Sequence, residues 1–256
     1  MEDVILKTVG LTKYYGGVHA LSDADFVLHR GEHVAIMGDN GAGKSTFVRQ
    51  ITGVEQPTRG EIIFDGAQQS FGSPIDAREA GIETVFQTLA LADDLDVPSN
   101  LFLGREKIRF RLGPFSILDK RAMREATKEA LQKTGVKIPN LMNTIRNMSG
   151  GQRQCVAIAR TAAFKSKMVI MDEPTAALGV QETAQVENII RTLKEAGEPL
   201  ILISHNMRQV FDLVDRIVVF RRGRIVANLR KEDTDGQDVV AYITGAKTGA
   251  EYEGAA

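Results

Sequence analysis

The residues whose types and spacing could do chemistry begin with a glycine-rich loop at residues 38–45. The loop matches in full the phosphate-binding pattern Gly-x-x-x-x-Gly-Lys-Ser/Thr. Glycines let the backbone wrap closely around an anion, and a helix N-terminus behind the loop adds a partial positive charge. The pattern therefore predicts a nucleoside triphosphate site made of Gly38, Asp39, Asn40, Gly41, Ala42, Gly43, Lys44 and Ser45.

Two side chains of this loop have predicted roles. Lys44 is expected to neutralise charge on the β- and γ-phosphates, and the Ser45 hydroxyl to bind Mg²⁺. A short apolar run at residues 33–37 predicts a buried strand before the loop, and a helix is predicted from Thr46 to a stop at Gly53. Because strand and helix both flank the loop, a mere glycine turn that caps a helix is the weaker interpretation.

Two adjacent carboxylates, Asp172 and Glu173, follow a second apolar run at residues 168–171. Acids at the end of a strand are weak evidence alone, since many are simply solvated. Beside a phosphate loop they predict a division of labour, in which Asp172 binds Mg²⁺ and Glu173 acts as general base toward the attacking water.

Three further polar sites lie at the ends of predicted strands or helices. Gln87 could be a surface amide, His205 a helix cap, and Ser149 an ordinary N-cap. The carboxyl edge of a parallel sheet is where such residues converge on a ligand. The segment Ser149, Gly150, Gly151 and Gln152 again offers a helix N-terminus with a hydroxyl and bare amides, but it need not reach the phosphate bound by its own chain.

Alternating strand and helix signals around the phosphate loop predict an α/β fold, a P-loop NTPase core with a mainly parallel sheet. An antiparallel β part opens the chain, where strands at residues 4–9 and 26–28 flank a glycine-containing turn. We expect one domain over residues 1–256, with a core at about 1–92 and 166–245. An inserted helical subdomain is expected at about 93–165 and a frayed tail at 246–256.

Composition narrows the class of protein. The 256 residues include 32 basic and 33 acidic side chains, and a net charge of −1 gives no general attraction to nucleic acid or anionic lipid. The single cysteine, Cys155, excludes an internal disulfide, and no apolar run is long enough to span a bilayer. We expect a reducing cytoplasm and a peripheral role in any membrane process.

With these motifs in this order, the sequence resembles the ATP-binding cassette ATPases, from about residue 6 to residue 245. The resemblance rests on the phosphate loop, Gln87, the signature Met148 to Gln152, Asp172 with Glu173, and His205. It implies a head-to-tail dimer, with each ATP held between one phosphate loop and the partner's signature. By the same resemblance, Tyr15 stacks on adenine, Lys44 and Thr46 hold phosphates, Ser45 and Asp172 position Mg²⁺, Gln87 senses the metal and the water, and His205 contacts the γ-phosphate.

Within that family the sequence is similar to the carbohydrate importer branch, especially monosaccharide importers. Residues 100–106 and 173–178 carry this similarity, and overall likeness favours fructose. The resemblance implies a homodimer of this single cassette on the cytoplasmic face of the inner membrane. It also implies integral membrane permease subunits and, through them, a periplasmic or extracellular sugar-binding protein.

Two alternatives stay open: an amino-acid importer, and a soluble cassette ATPase acting on nucleic acid or ribosomes. The second is disfavoured because the sequence has neither a heptad array nor a cysteine cluster, and we expect no nucleic-acid partner. The basic run at residues 105–111 is interpreted as a solvated or subunit-facing surface. Two departures from the family stand out: Met148 replaces the usual leucine, and Gly179 the usual aspartate of the loop after the general base.

Overall fold

The computed structural model describes residues 3–112, 115–164 and 166–249. Its contacts divide the chain into two compact units. The first comprises Met1–Thr84, Lys167–Glu173 and Lys194–Ala256, and the second comprises Val85–Ser166 and Pro174–Leu193. The subdomain boundaries predicted from the sequence stay a prediction.

The chain opens with a four-stranded antiparallel sheet in the first unit, as predicted. Its order is β2-β1-β4-β5, where β1 is Val4–Tyr15, β2 is Val18–His29, β4 is Arg59–Phe64 and β5 is Ala67–Gln69. The first two strands are longer than predicted because the β1–β2 pairing continues through several bulges to the pair Tyr15 and Val18. The turn between these strands is therefore shorter than predicted and consists of Gly16 and Gly17.

A six-stranded sheet forms the centre of the fold, and its order is β12-β11-β3-β10-β9-β6. These strands are β3 (His33–Met37), β6 (Ile82–Val85), β9 (Met168–Asp172), β10 (Leu200–Ile203), β11 (Arg216–Arg221) and β12 (Arg224–Arg230). The pairs β11–β3, β3–β10 and β10–β9 are parallel, and β12 is antiparallel to β11. Every residue of β3 and β10 is buried, which is the continuous apolar pattern of strands covered on both faces.

Among the described residues of the first unit, the helices that lie wholly within it are short. They are α1 (Lys44–Ile51), α2 (Pro74–Ala80), α7 (Met207–Leu213) and α8 (Gly236–Thr244). Phe47 and Ile51 of α1 are fully buried in one cluster with β-strand residues such as Phe26 and Phe220, so this packing fixes the helix behind the phosphate loop. Residues 250–256 of the predicted tail lie outside the described residues.

The second unit is built on helices α3 (Val97–Leu101), α4 (Lys120–Lys133) and α5 (Gly150–Ala162), with most of α6 (Val180–Glu195). Asp119 caps α4 as predicted, accepting a hydrogen bond from the backbone N–H of Ala122 at 2.9 Å. Met123, Leu131 and Val156 lie in its apolar core. The predicted buried stripe on α6 is confirmed at Val186, Ile189, Ile190 and Leu193.

One element in the stretch expected to be helical is a β-hairpin. Strand β7 (Ile108–Leu112) pairs antiparallel with β8 (Phe115–Leu118). The alternation of Ile, Arg and Phe in β7 has the period of a strand, and aromatic and β-branched residues favour strands. The expectation of helix was wrong here because it overlooked this two-residue period.

Among the residues that the structure describes, no helix combines the length and apolarity needed to cross a lipid bilayer.

Candidate nucleotide-binding site

The phosphate loop joins the buried end of β3 to the start of α1, and its conformation requires glycine. Gly38 has φ 147° and Gly43 has φ 105°. A Cβ atom on Gly38 would lie 2.2 Å from the carbonyl oxygen of Phe220, and one on Gly43 would lie 2.9 Å from that of Ala20. Both distances are shorter than any tolerated contact, so the neighbouring strands press directly on the loop backbone.

Helix α1 begins at this loop with an open N-terminus. Gly43 is its N-cap residue, and no side chain caps the helix. The Lys44 ammonium donates hydrogen bonds to the carbonyl oxygens of Gly38 at 2.5 Å and Asp39 at 2.9 Å. Ser45 is exposed and Thr46 half-buried. A helix N-terminus left free of side-chain caps is suited to an anion.

The predicted acidic pair lies at the carboxyl end of the central sheet. Asp172 ends β9 and is aligned with Ile203, the last residue of the neighbouring strand β10. Glu173 follows with φ 50°, a left-handed conformation unusual for a residue with a Cβ. Its backbone N–H donates to the carbonyl oxygen of Ile203 at 2.9 Å, which fixes the turn.

His205 and Glu173 form a direct pair. The Nδ1 atom of His205 lies 2.9 Å from the Glu173 carboxylate. The Glu173 side chain is 17% exposed, whereas that of His205 is 79% exposed. The histidine therefore covers a sheltered carboxylate, and the pair joins two positions that are distant in the sequence.

Electrostatics connect Lys44 with the two carboxylates. Burial lowers the pKa of Lys44, against the opposing charges of Glu173, Asp172 and Asp39. Burial and the neighbouring Glu173 charge raise the pKa of Asp172, against the opposing charge of Lys44. The raised pKa means that nearby positive charge does not fully compensate the partly buried Asp172 carboxylate. A carboxylate oxygen is a ligand that a hard cation such as Mg²⁺ prefers, so Asp172 fits a magnesium site.

Tyr15 lies at the end of β1 with 43% of its surface exposed. Its hydroxyl donates to the Glu55 carboxylate, which also pairs with Arg49 at 3.2 Å. Partial burial and this bond to Glu55 raise the pKa of the Tyr15 hydroxyl. The tether orients the ring while leaving part of its surface open to a planar group.

The other predicted site residues belong to the second unit. Gln87 is exposed just beyond β6. Ser149 is the N-cap of α5, and its hydroxyl accepts from the Gln152 backbone N–H at 3.2 Å. The Gln152 side chain in turn accepts from the Ser149 backbone N–H at 3.1 Å. This reciprocal pair is a capping box, and it makes Ser149 the N-cap residue of α5. The predicted contact of this segment with ATP stays a prediction.

Glu182, on the first turn of α6, is a residue that sequence reasoning missed. A Cβ atom on Gly151 would lie 2.1 Å from its Cγ atom, and one on Gly179 would lie 2.6 Å from its Oε2 atom. One side chain therefore fills the space left by two glycines, one in the signature and one in the loop after Glu173. Only the packing of α6 beside α5 creates this contact, and no local pattern signals it.

Comparisons with known proteins identify the family. The family model described as ABC transporter matches residues 21–176, which is more than half of the chain. The chain therefore belongs to the ABC transporter family, and it is an ABC-type ATPase that binds ATP.

Among curated relatives, the chain is 47% identical to the fructose import ATP-binding protein FrcA of Rhizobium meliloti, over 96% of each chain. It is 41% identical to the xylose/arabinose import ATP-binding protein XylG of Sulfolobus acidocaldarius, over 94% of each chain. It is also 40% identical to the ribose import ATP-binding protein RbsA 2 of Burkholderia cenocepacia, over 96% of this chain and 47% of that protein. It thus spans about half the length of that relative.

Solved cassettes have the same fold. One structure of the ATP-binding cassette MJ1267 of an ABC transporter superposes with a TM-score of 0.81 at 27% identity, over 93% of this chain and 98% of that one. A dimeric post-hydrolysis structure of the cassette MJ0796, bound to ADP and Pi, gives a TM-score of 0.75 at 25% identity. It covers 89% of this chain and 99% of that one.

Proposed function

We propose that this chain is the ATP-hydrolysing subunit of an importer that takes up a sugar, fructose being the first candidate, through a separate membrane permease. The observation that carries the ATPase mechanism is the cluster of Lys44, Asp172, Glu173 and His205 at one edge of a parallel sheet. The sugar rests on the names of three relatives, which import fructose, xylose or arabinose, and ribose.

In this proposal the phosphates of ATP bind to the backbone of residues 38–46. The uncapped N-terminus of α1 attracts them, and Lys44 exchanges its bonds to the loop carbonyls for bonds to phosphate oxygens. Thr46 contributes the next hydroxyl of the helix. The exposed Tyr15 ring stacks on the adenine, and stacking of this kind contributes about 1 to 3 kcal/mol per base in other proteins.

The Ser45 hydroxyl and Asp172 are proposed as the residues that would hold Mg²⁺, and Gln87 as the residue that would sense it. Neutralisation by the cation offsets the cost of keeping Asp172 charged in a partly buried place. When bound, the ion supplies charge neutralisation to the phosphates.

Glu173 is proposed as the general base. Its sheltered carboxylate takes a proton from the attacking water as the water oxygen bonds to the γ-phosphorus and the bond to the ADP oxygen breaks. His205 holds this carboxylate through Nδ1 and is exposed enough to present its other ring nitrogen to the γ-phosphate. The two residues thereby share the positioning of water and phosphate.

The site is proposed to be completed by a second copy, whose residues 149–152 contact the γ-phosphate. The post-hydrolysis structure of the cassette MJ0796, which is dimeric and bound to ADP and Pi, supports a dimer. Two copies would then bind permease subunits at the cytoplasmic face of the inner membrane, and the permease would receive sugar from a periplasmic or extracellular binding protein.

The direct test of the mechanism is Glu173→Gln. We expect ATP turnover to fall by about 100-fold to 10,000-fold, the usual contribution of a general base. Binding of ATP should persist, and the ATP-bound variant should elute as a dimer in gel filtration. Glu61→Gln, an exposed acid on β4, is the matched control. Undiminished hydrolysis by Glu173→Gln would remove Glu173 from the role of base.

The cargo needs a separate experiment. The chain can be isolated with its membrane partners, reconstituted into vesicles and supplied with labelled fructose, xylose, ribose or an amino acid. ATP-dependent uptake of fructose supports the proposal, and uptake of another sugar corrects only the sugar. Uptake of an amino acid alone, or co-isolation with ribosomes instead of a permease, would contradict sugar import.

A further inference from the structure

The β7–β8 hairpin of the second unit exposes an unusual combination of side chains. Phe110, Phe115 and Ile117 are 55%, 76% and 62% exposed, and Ile108 and Leu118 are also exposed. A monomeric protein rarely exposes a contiguous set of large apolar side chains unless something covers it. An isolated two-stranded hairpin is also only marginally stable in water, so a partner would stabilise it.

The charges on this hairpin are all of one sign. Residues 107–118 include Lys107, Arg109 and Arg111 and no acidic residue, although the whole chain has a net charge of −1. Lys107 lies 5.4 Å from the centre of the Phe102 ring, and Asp119 joins the base of the hairpin to α4. Within residues 3–112, 115–164 and 166–249, Arg109 and Arg111 have no ion-pair partner.

The apolar side chains project from both faces of the ribbon. Successive residues of a strand point to opposite faces, and Ile117 and Leu118 are both exposed. In the ladder Ile108 is opposite Leu118, and Phe110 is opposite Ile117. A flat protein surface would cover one face only, whereas a headgroup layer can surround both.

We propose that this hairpin is a membrane-surface anchor that binds anionic phospholipid. The arginines would pair with lipid phosphates, and the phenylalanines and isoleucines would enter the boundary between headgroups and acyl chains. Aliphatic Ile108, Ile117 and Leu118 favour lipid over RNA, because a single-stranded base stacks on aromatic rings and not on branched aliphatic chains. The surface is additional to the transport function, and its test requires neither a permease nor a nucleotide.

Sedimentation of the purified full chain with lipid vesicles tests the charges. The chain should sediment with vesicles of phosphatidylglycerol mixed with phosphatidylcholine, but not with phosphatidylcholine alone. Arg109→Gln combined with Arg111→Gln should lower the partition coefficient by about 30-fold, since each cation near an anionic surface contributes about fivefold. Lys133→Gln with Lys137→Gln, two exposed cations elsewhere in the same unit, removes equal charge and should retain the binding.

Fluorescence tests the insertion, because the chain has no tryptophan. Phe115→Trp should shift its emission to the blue when phosphatidylglycerol vesicles are added, and brominated lipid should quench it. Ile75→Trp, at an exposed position on α2, should do neither. Together with the charge-dependent sedimentation, this result would support the anchor.

Three results would overturn the anchor: no binding to phosphatidylglycerol vesicles, equal losses in the arginine pair and the lysine pair, or binding to RNA or an acidic protein without binding to vesicles. ATP hydrolysis in solution is measured for the same variants and should be unchanged, because none of these residues lies in the nucleotide site. Failure of lipid binding with hydrolysis intact therefore refutes the anchor alone.

Discussion

Two helices of this chain begin at glycine-rich segments, and they differ in whether a side chain caps the N-terminus. At α1 the N-cap is a glycine without a side-chain cap, and Lys44 binds the loop carbonyls behind it. At α5 the Ser149 hydroxyl caps the helix by accepting a hydrogen bond from the Gln152 backbone N–H. Both segments resemble anion sites in sequence, but only the second has a side-chain cap.

This difference suggests that the N-termini of α1 and α5 contribute to a nucleotide site in different ways. The open N-terminus of α1 can bind phosphate directly with its backbone. At α5 the Ser149 hydroxyl already accepts a hydrogen bond, and it retains its own proton to donate. We therefore expect the phosphate loop to govern nucleotide affinity and the signature to govern turnover.

The sharpest test of this contrast replaces one residue of each segment by alanine. Lys44→Ala should lose nucleotide affinity and about 1,000-fold of turnover, because a charge-stabilising donor at the phosphates is removed. Ser149→Ala should keep the affinity of the separated chain and lose about 100-fold of turnover. Titration with a fluorescent ATP analogue and steady-state hydrolysis measure the two effects. Equal losses of affinity in both variants would break the comparison.

The second prediction concerns the rigidity of the open loop. Gly38→Ala should cost more than about 3 kcal/mol of unfolding free energy, because its Cβ meets the Phe220 carbonyl oxygen at 2.2 Å. Gly41→Ala is the control within the loop: its φ is 78°, but no atom lies within 4 Å of the added Cβ. Gly41→Ala should therefore cost only about 1 to 2 kcal/mol of unfolding free energy, which is the penalty for a residue with a Cβ in the left-handed conformation. Urea unfolding without nucleotide measures the unfolding free energy of both variants. Similar losses in the two would mean that the loop backbone can shift to accommodate the Cβ at residue 38.

The third prediction concerns the closed segment. Gly151→Ala should cost about 1 to 3 kcal/mol, since its Cβ meets Glu182 at 2.1 Å in a packed contact. Gly150→Ala should cost less, because its Cβ meets only Leu178 at 3.9 Å. The Cβ of Glu182 also lies 2.6 Å from the added Cβ, so the relieving change is Glu182→Gly. If Glu182 is the obstacle, the double variant Gly151→Ala with Glu182→Gly should lose less unfolding free energy than the two single variants lose together. Additive losses in urea unfolding would contradict this.

The smallest expected effect is a dependence of Mg²⁺-ATP affinity on pH, which we attribute to Asp172 and not to the signature segment. Burial and Glu173 raise the pKa of Asp172, so this carboxylate takes up a proton earlier than an ordinary aspartate as the pH falls. Affinity for Mg²⁺-ATP should therefore decline on acidification, and return as the pH rises. The decline should persist in Ser149→Ala and be lost in Asp172→Asn. An unchanged acid decline in Asp172→Asn would assign it to another group.

Much of the fold followed from local patterns. The buried strand before the phosphate loop, the helix that Asp119 caps and the apolar stripe on α6 all follow from residues close in sequence. The β7–β8 hairpin was missed because its period-two pattern is short and lies among helices. The extra length of β1 and β2 was missed because bulged pairing extends it.

The sequence by itself determined the phosphate loop, the acidic pair Asp172 and Glu173, and the capped start of α5. Each is defined by residues within one turn or strand end, where spacing alone sets the geometry. Only the tertiary structure decided that His205 holds Glu173, that Phe220 presses on Gly38 and that Glu182 fills the space beside Gly151. These contacts join residues far apart in the chain, and they exist because sheet order and helix packing bring the backbones together.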